Sequence, residues 1–159
     1  MKDQIDVNLW GTILSAKLFM PFLANKSRVL FISSAFGLTA GAGYACYCAA
    51  KAGIVNFALA LRRELLGKAS IYVACPADID TPLYREELKT LPVWMKSAKV
   101  RAKVLSAEIA AIKIIKKCQG KRFLIFISWE IFFLLSILPR FMPSSWIIWL
   151  GDRLLPTPP

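Results

Sequence analysis

There is no histidine in this chain, and its four cysteines (Cys46, Cys48, Cys75, Cys118) form no CxxC pair. A metal centre ordinarily needs such ligands at short spacing, so none is expected. The cysteines are read as free thiols of a reducing compartment. Acidic residues are scarce, 10 against 21 basic ones, which leaves a net charge of +11. No recognition motif accompanies that charge, so nucleic acid is not expected as a partner. The start, MKDQIDVNLW, carries charge where a cleavable signal needs an apolar core. The apolar stretch from Phe123 to Leu138 has 16 residues and is interrupted by Glu130. It falls short of the ~20 residues that a membrane-spanning helix needs.

What the chain does have is enough apolar content for one core: 57% hydrophobic residues over 159 positions. The charge is unevenly placed, with ten basic and seven acidic residues in 1–95 but eleven and three in 96–159. The basic balance is thus a property of the C-terminal part.

The informative stretch runs from Ile32 to Lys51, ISSAFGLTAGAGYACYCAAK. The run RVLFISS is continuously apolar up to its serines, as in a parallel strand covered on both faces. A helix through YCAAK sets Lys51 on the same face as Tyr47, because residues four apart on a helix are neighbours. A free phenol titrates near ~10, too high for efficient acid–base work at neutral pH. A cation about 4 Å from it is worth roughly 4 kcal/mol at an effective dielectric near 20, enough to draw the phenol toward neutrality. Ser34, at the mouth of the strand, is placed to hydrogen-bond the oxygen that Tyr47 protonates. Period-two alternation turns its neighbour Ser33 to the opposite side.

A serine followed thirteen residues later by YxxxK resembles the signature of the short-chain dehydrogenase/reductase family. The resemblance extends over the chain up to about Leu91. It implies an α/β fold, a partial doubly wound (Rossmann-like) parallel sheet, with three parallel strands retained in sequence order. The family ordinarily needs about 250 residues, in line with two mononucleotide-binding halves. Its GxxxGxG pyrophosphate loop should lie upstream, and the chain begins seven residues before an NxxG motif, Asn8 to Gly11. The chain is therefore expected to be a C-terminal portion of a reductase, with 1–122 as part of the Rossmann domain. Residues 123–159 are expected as the last strand plus an apolar, amphipathic helical tail.

The resemblance also implies roles. Tyr47 gives a proton to a ketone oxygen, Ser34 polarises it, and Lys51 lowers the tyrosine's pKa while binding the cofactor ribose. Asn8 bends its helix and holds a water that relays protons. Pro76, Ala77, Ile79 and Thr81 match the segment that contacts the nicotinamide and phosphates, with Ala77 in place of the usual glycine. The cofactor is NADP or NAD, with NADPH favoured, and a homo-oligomer is implied through the Asn8 and Tyr47 helices. Gly37, Gly41 and Gly43 also spell GxxxGxG. Read as a nucleotide loop they would call for an acid closing the next strand, but SIYVAC ends in Cys75-Pro76, so they are assigned to a flexible wall of the substrate pocket.

The PADIDTP segment (76–82) is similar to that of 3-ketodihydrosphingosine reductases, which implies a long-chain lipid ketone as substrate. Residues 83–97 would form a mobile lid over it. Near the end, FMPSSWIIWLGDRLLP mixes Trp146 and Trp149 with Arg153, as in a helix lying at a membrane interface. A helix capping the pocket or packing on a second subunit is the competing reading. The expected location is cytoplasmic, peripheral at a membrane through this tail. The alternative to an enzyme is a non-catalytic remnant that acts as an interaction or membrane-associated piece.

Overall fold

The computed structural model describes residues 2–100, 104–128, 130 and 143–154. The chain opens with one helical rod, α1, made of Lys2–Ile5, a π turn Asp6–Trp10, Gly11–Phe19 and a 3₁₀ turn Met20–Phe22. Next come β1 (Ser27–Ile32), α2 (Ala45–Glu64) and β2 (Ala69–Ala74). After β2 follow β3 (Ile79–Asp80), α3 (Pro82–Thr90), α4 (Val93–Val100), β4 (Leu105–Ser106), α5 (Ala107–Lys117), β5 (Leu124–Ile125) and α6 (Ser144–Leu154).

The main sheet has the order β1-β2-β5, all parallel, with Ser27 opposite Ala69 and Val73 opposite Leu124. This is the expected α/β arrangement with three parallel strands in sequence order. A second pair, β3 with β4, is also parallel and was not anticipated.

Period two along β2 explains why its sequence is apolar throughout. Ile71, Val73 and Cys75 join a cluster with Ile54, Ala58 and Leu61 of α2, whereas Tyr72 and Ala74 join Ala110 and Ile114 of α5. A strand sandwiched between helices has no face left for a polar side chain. The two clusters place α2 on one side of the sheet and α5 on the other, so the C-terminal ends of β1 and β2 emerge between them.

Helix boundaries follow local chemistry. Ser106 caps α5 by accepting from the Ile109 amide at 3.3 Å, and Thr81 caps α3 by accepting from the Tyr84 amide at 3.1 Å. After α2, Gly67 takes φ +82°, a left-handed turn that glycine adopts without steric cost. Along α1, Val7, Trp10, Leu14 and Leu18 form an exposed apolar stripe at helical spacing.

The apolar run that begins at Phe123 continues outside the described residues from Trp129 onward, Glu130 excepted. Among the described residues, no helix is long and apolar enough to cross a membrane.

Candidate active site

The strand ends are stitched together just where Ser34 emerges. Ser33 N donates to Ala74 O and Ala35 N donates to Pro76 O, each at 2.8 Å. These bonds carry the β1–β2 pairing past the strands and set the loop after β2 beside Ser34. Ser33 points into the protein: it is 3% exposed, and its hydroxyl donates to the Lys51 carbonyl at 2.8 Å. Ser34 takes extended backbone angles, and its Oγ accepts from Phe36 N at 3.2 Å. Alternation along the strand therefore divides the two serines as expected: Ser33 ties strand to helix, and Ser34 faces the site.

Tyr47 lies in the first turn of α2 among aromatic neighbours, with ring centroids of Phe36 and Tyr44 at 6.5 and 6.2 Å. Burial raises its pKa above the ordinary tyrosine value, a hydrogen bond with Ser34 opposes this, and the charges of Glu87 and Asp78 reinforce it. Lys51 is lowered by burial. Its ammonium is 5.5 Å from the centroid of the Tyr47 ring and donates to the Ile32 carbonyl at 3.4 Å.

This corrects one sequence expectation. The four-residue spacing does bring lysine and tyrosine together, but the ammonium reaches the ring and the strand-end carbonyl. Burial costs both charged forms, so it outweighs the expected Coulomb gain at the phenol. Tyr47 accordingly keeps its proton at neutral pH, as an unperturbed phenol also would, and its pKa is not drawn toward neutrality.

Tyr44, one turn before Tyr47, belongs to a polar cluster that sequence reasoning missed. Its hydroxyl donates to Glu87 Oε1 at 2.5 Å. Lys99, whose side chain is 12% exposed, meets Glu87 at 3.1 Å and Asp78 at 3.4 Å and lies 5.2 and 5.1 Å from the Tyr44 and Tyr84 rings. Through these bonds α3 and α4, from the segment expected as a lid, rest against α2 and the loop after β2. No sequence spacing links positions 44, 78, 87 and 99; only the tertiary fold does.

Burial and Glu87 together push Tyr44 well above the usual range. Tyr44 and Tyr47 thus contribute stability that is fully present below their ordinary value of ~10 and lost as pH rises through their higher native values. Ultraviolet titration of phenolate is expected to find both still protonated at pH 10, with ionisation accompanying alkaline unfolding. Reversible ionisation of both near 10 in the folded protein would contradict the buried site.

Asn8 sits inside the π turn of α1, a feature frequent at functional sites. Its Nδ2 donates to Gln4 Oε1 at 3.0 Å and its carbonyl accepts from Thr12 Oγ1 at 2.7 Å. The adjoining Leu9 packs on Gly53 of α2, where an added Cβ would lie 2.9 Å from the leucine methyls. The small residue at position 53 thus lets the π turn approach the helix that carries Tyr47 and Lys51.

The residues expected at the cofactor have local duties as well. Pro76 is buried and its carbonyl holds Ala35 N, while Ala77 is half-buried beside it. Ile79 pairs with Leu105 in the β3–β4 ladder and packs on the α5 side of the sheet. Thr81 caps α3 through its oxygen, which leaves its hydroxyl proton as a donor. The three glycines after Ser34, expected in the wall of the substrate pocket, are points of close approach. A Cβ on Gly37 would lie 2.5 Å from Ser33 Oγ and 2.8 Å from Lys51 O, one on Gly41 would meet the Phe36 ring at 2.9 Å, and Gly43 (φ +82°) faces Met95.

A parallel sheet flanked by helices, with Ser34, Tyr47 and Lys51 beside one strand end, is a Rossmann-like α/β arrangement. The sequence profile described as short chain dehydrogenase matches residues 1–92. The chain belongs to that family. It is 29% identical over 134 residues to the 11-beta-hydroxysteroid dehydrogenase-like 6 protein of Arabidopsis thaliana, covering 79% of this chain and 39% of that one. It is 43% identical over 65 residues to the mitochondrial D-beta-hydroxybutyrate dehydrogenase of Mus musculus, covering 40% of this chain and 19% of that one. A short chain dehydrogenase of Burkholderia cenocepacia J2315, solved in complex with NADP, superposes with a TM-score of 0.71 at 19% identity, over 95% of this chain and 59% of that one. The chain thus spans well under two thirds of the length of these proteins.

Proposed function

We propose that the chain carries the proton-transfer part of an NAD(P)-dependent reductase that converts a ketone to an alcohol. The observation that supports it best is the joint placement of Ser34, Tyr47 and Lys51 beside the end of β1. The bound nicotinamide supplies the hydride. Lys51 and the loop of Pro76, Ala77, Ile79 and Thr81 would hold that cofactor; the half-buried lysine, partnered by a strand-end carbonyl, and the Thr81 hydroxyl proton are donors suited to ribose and carboxamide oxygens. Ser34 orients the ketone oxygen by hydrogen bonding, and Tyr47 delivers its proton to that oxygen. Asn8, in its π turn, would hold the water that replaces the proton through Lys51.

NADPH is favoured over NADH, in keeping with the NADP-bound relative. The substrate reading is a long-chain ketone of the 3-ketosphinganine kind, supported by the PADIDTP segment. Peripheral membrane contact through α6 accompanies it, since Trp146, Ile148 and Trp149 are exposed and Arg153 stacks on Trp149 at 4.7 Å. A second copy of the chain is the partner that would cover the apolar stripe of α1. Oxidation of NADPH in the presence of 3-ketosphinganine tests the substrate. Turnover is expected; a protein that reduces short neutral ketones but not this lipid would remove the lipid reading alone. A protein that reduces neither, and binds no cofactor, would be a non-catalytic interaction piece.

A further inference from the structure

The end of the sheet opposite Ser34 gathers positive charge from separate parts of the chain. Lys26 immediately precedes β1 and Lys68 immediately precedes β2, whereas Ser34 follows β1. The Lys26 amide donates to the Lys68 carbonyl at 2.8 Å, which holds the two turns side by side. Tyr72 Oη donates to the Gly120 carbonyl at 2.9 Å and brings the turn after α5 to the same end. The Arg62 guanidinium lies 5.8 Å from the centroid of the Phe123 ring.

A cavity of about 320 Å³ opens there, lined by Lys26, Arg62, Lys68 and Lys121 and, among the described residues, by no carboxylate. A neighbouring cavity of about 410 Å³ shares Lys121 and adds Lys116, Lys117 and Arg122, again without a carboxylate. These seven cationic residues are all exposed. Like charges gathered in this way repel one another, so the arrangement disfavours the isolated chain and favours an anionic partner.

Two large apolar side chains stand among the cations. Leu66 is 77% exposed and lines the first cavity, and Phe22 is 83% exposed just before the Lys26 turn. Left-handed backbone at Gly67 and Lys26 shapes both turns; Leu66 lines the cavity with the lysines, and Phe22 precedes Lys26 by four residues. An anionic bilayer matches both features, with charge at its headgroups and hydrocarbon beneath them. A nucleic acid duplex answers the charge but gives no burial to the two apolar tips.

We propose that this pole of the sheet, with Lys26, Arg62, Lys68 and Lys121 around Phe22 and Leu66, docks on an anionic lipid bilayer. Docking there leaves Ser34 and the strand ends that carry it directed away from the bilayer, so a lipid ketone would have to leave that bilayer to reach the site. The proposal does not depend on the chain being a reductase.

Sedimentation of the full chain with phosphatidylcholine vesicles, alone or mixed with phosphatidylglycerol, tests it. Binding is expected only to the mixed vesicles and is expected to fall with added salt. The triple variant K26Q/K68Q/K121Q should bind roughly 100-fold more weakly, and F22S/L66S about tenfold more weakly. The charge-matched control K2Q/K17Q/K89Q should bind like the wild type, with its α6 tail unchanged. The proposal is overturned if the wild type ignores anionic vesicles, if the control loses as much as the triple variant, or if a DNA duplex at equal phosphate concentration displaces the chain from them.

Discussion

Replacing Tyr47 with phenylalanine is expected to lower NADPH-dependent ketone reduction by 10²- to 10⁴-fold, the range over which a positioned acid contributes. Cofactor binding should persist, because the substitution removes one oxygen and leaves the ring that packs on Phe36 and Tyr44. In steady-state kinetics the loss should therefore fall on kcat with KM for NADPH little changed. The Ser34 hydroxyl is the nearest partner of the missing phenol, so S34A should lower turnover as well, and the double variant should lose less than the two single losses combined. A Y47F protein that retains most of its turnover would show that the proton comes from elsewhere.

Gly37→Ala is expected to cost about 2–3 kcal/mol of stability, the magnitude of overpacking at a site that cannot relax. Two of the atoms a new Cβ would meet belong to different elements: Ser33 Oγ at the end of β1 and the Lys51 carbonyl within α2. Ser33 could retreat only by giving up its 2.8 Å bond to that same carbonyl, and the carbonyl is fixed by its helix. The change should therefore also push α2 from the strand end and disturb Lys51. Chemical denaturation measures the cost as a shift in midpoint at constant slope. Gly67→Ala makes a useful comparison, since nothing lies within 4 Å of its added Cβ and only the left-handed backbone is strained.

The α/β frame was legible because burial leaves a mark in sequence, on both faces for β2, whereas β1 was expected to be covered on both faces but buries only Phe31 and leaves Ile32 49% exposed. RVLFISS and SIYVAC are apolar throughout, and β1 and β2 occupy them with α2 between. The choice of Ser34 over Ser33 was legible too, because strand alternation alone sends one hydroxyl to the core and the other to the site. Spacing could say that Lys51 and Tyr47 share a face, but not where the ammonium would end. That depends on the strand-end carbonyl of Ile32, which lies 19 residues away in sequence. The polar cluster around Lys99 was hidden for the same reason, since its partners come from α2, α3 and the loop after β2. The β3–β4 ladder is two residues long, too short for a periodic signal. The π turn at Asn8 reads as ordinary helix in sequence, since its residues carry the same helical recurrence of apolar side chains.

The most direct test of the proton-transfer reading is a titration of the chain with NADPH, followed by nicotinamide fluorescence, for the wild type and for Lys51→Met. Methionine keeps the length and apolar stem of lysine and removes only the ammonium. If Ser34, Tyr47 and Lys51 form the proton-transfer part of a reductase site, the wild type binds NADPH saturably and the variant binds at least tenfold more weakly. Equal affinities for the two proteins would contradict that assignment, whereas no binding by either would show that cofactor binding needs a further segment.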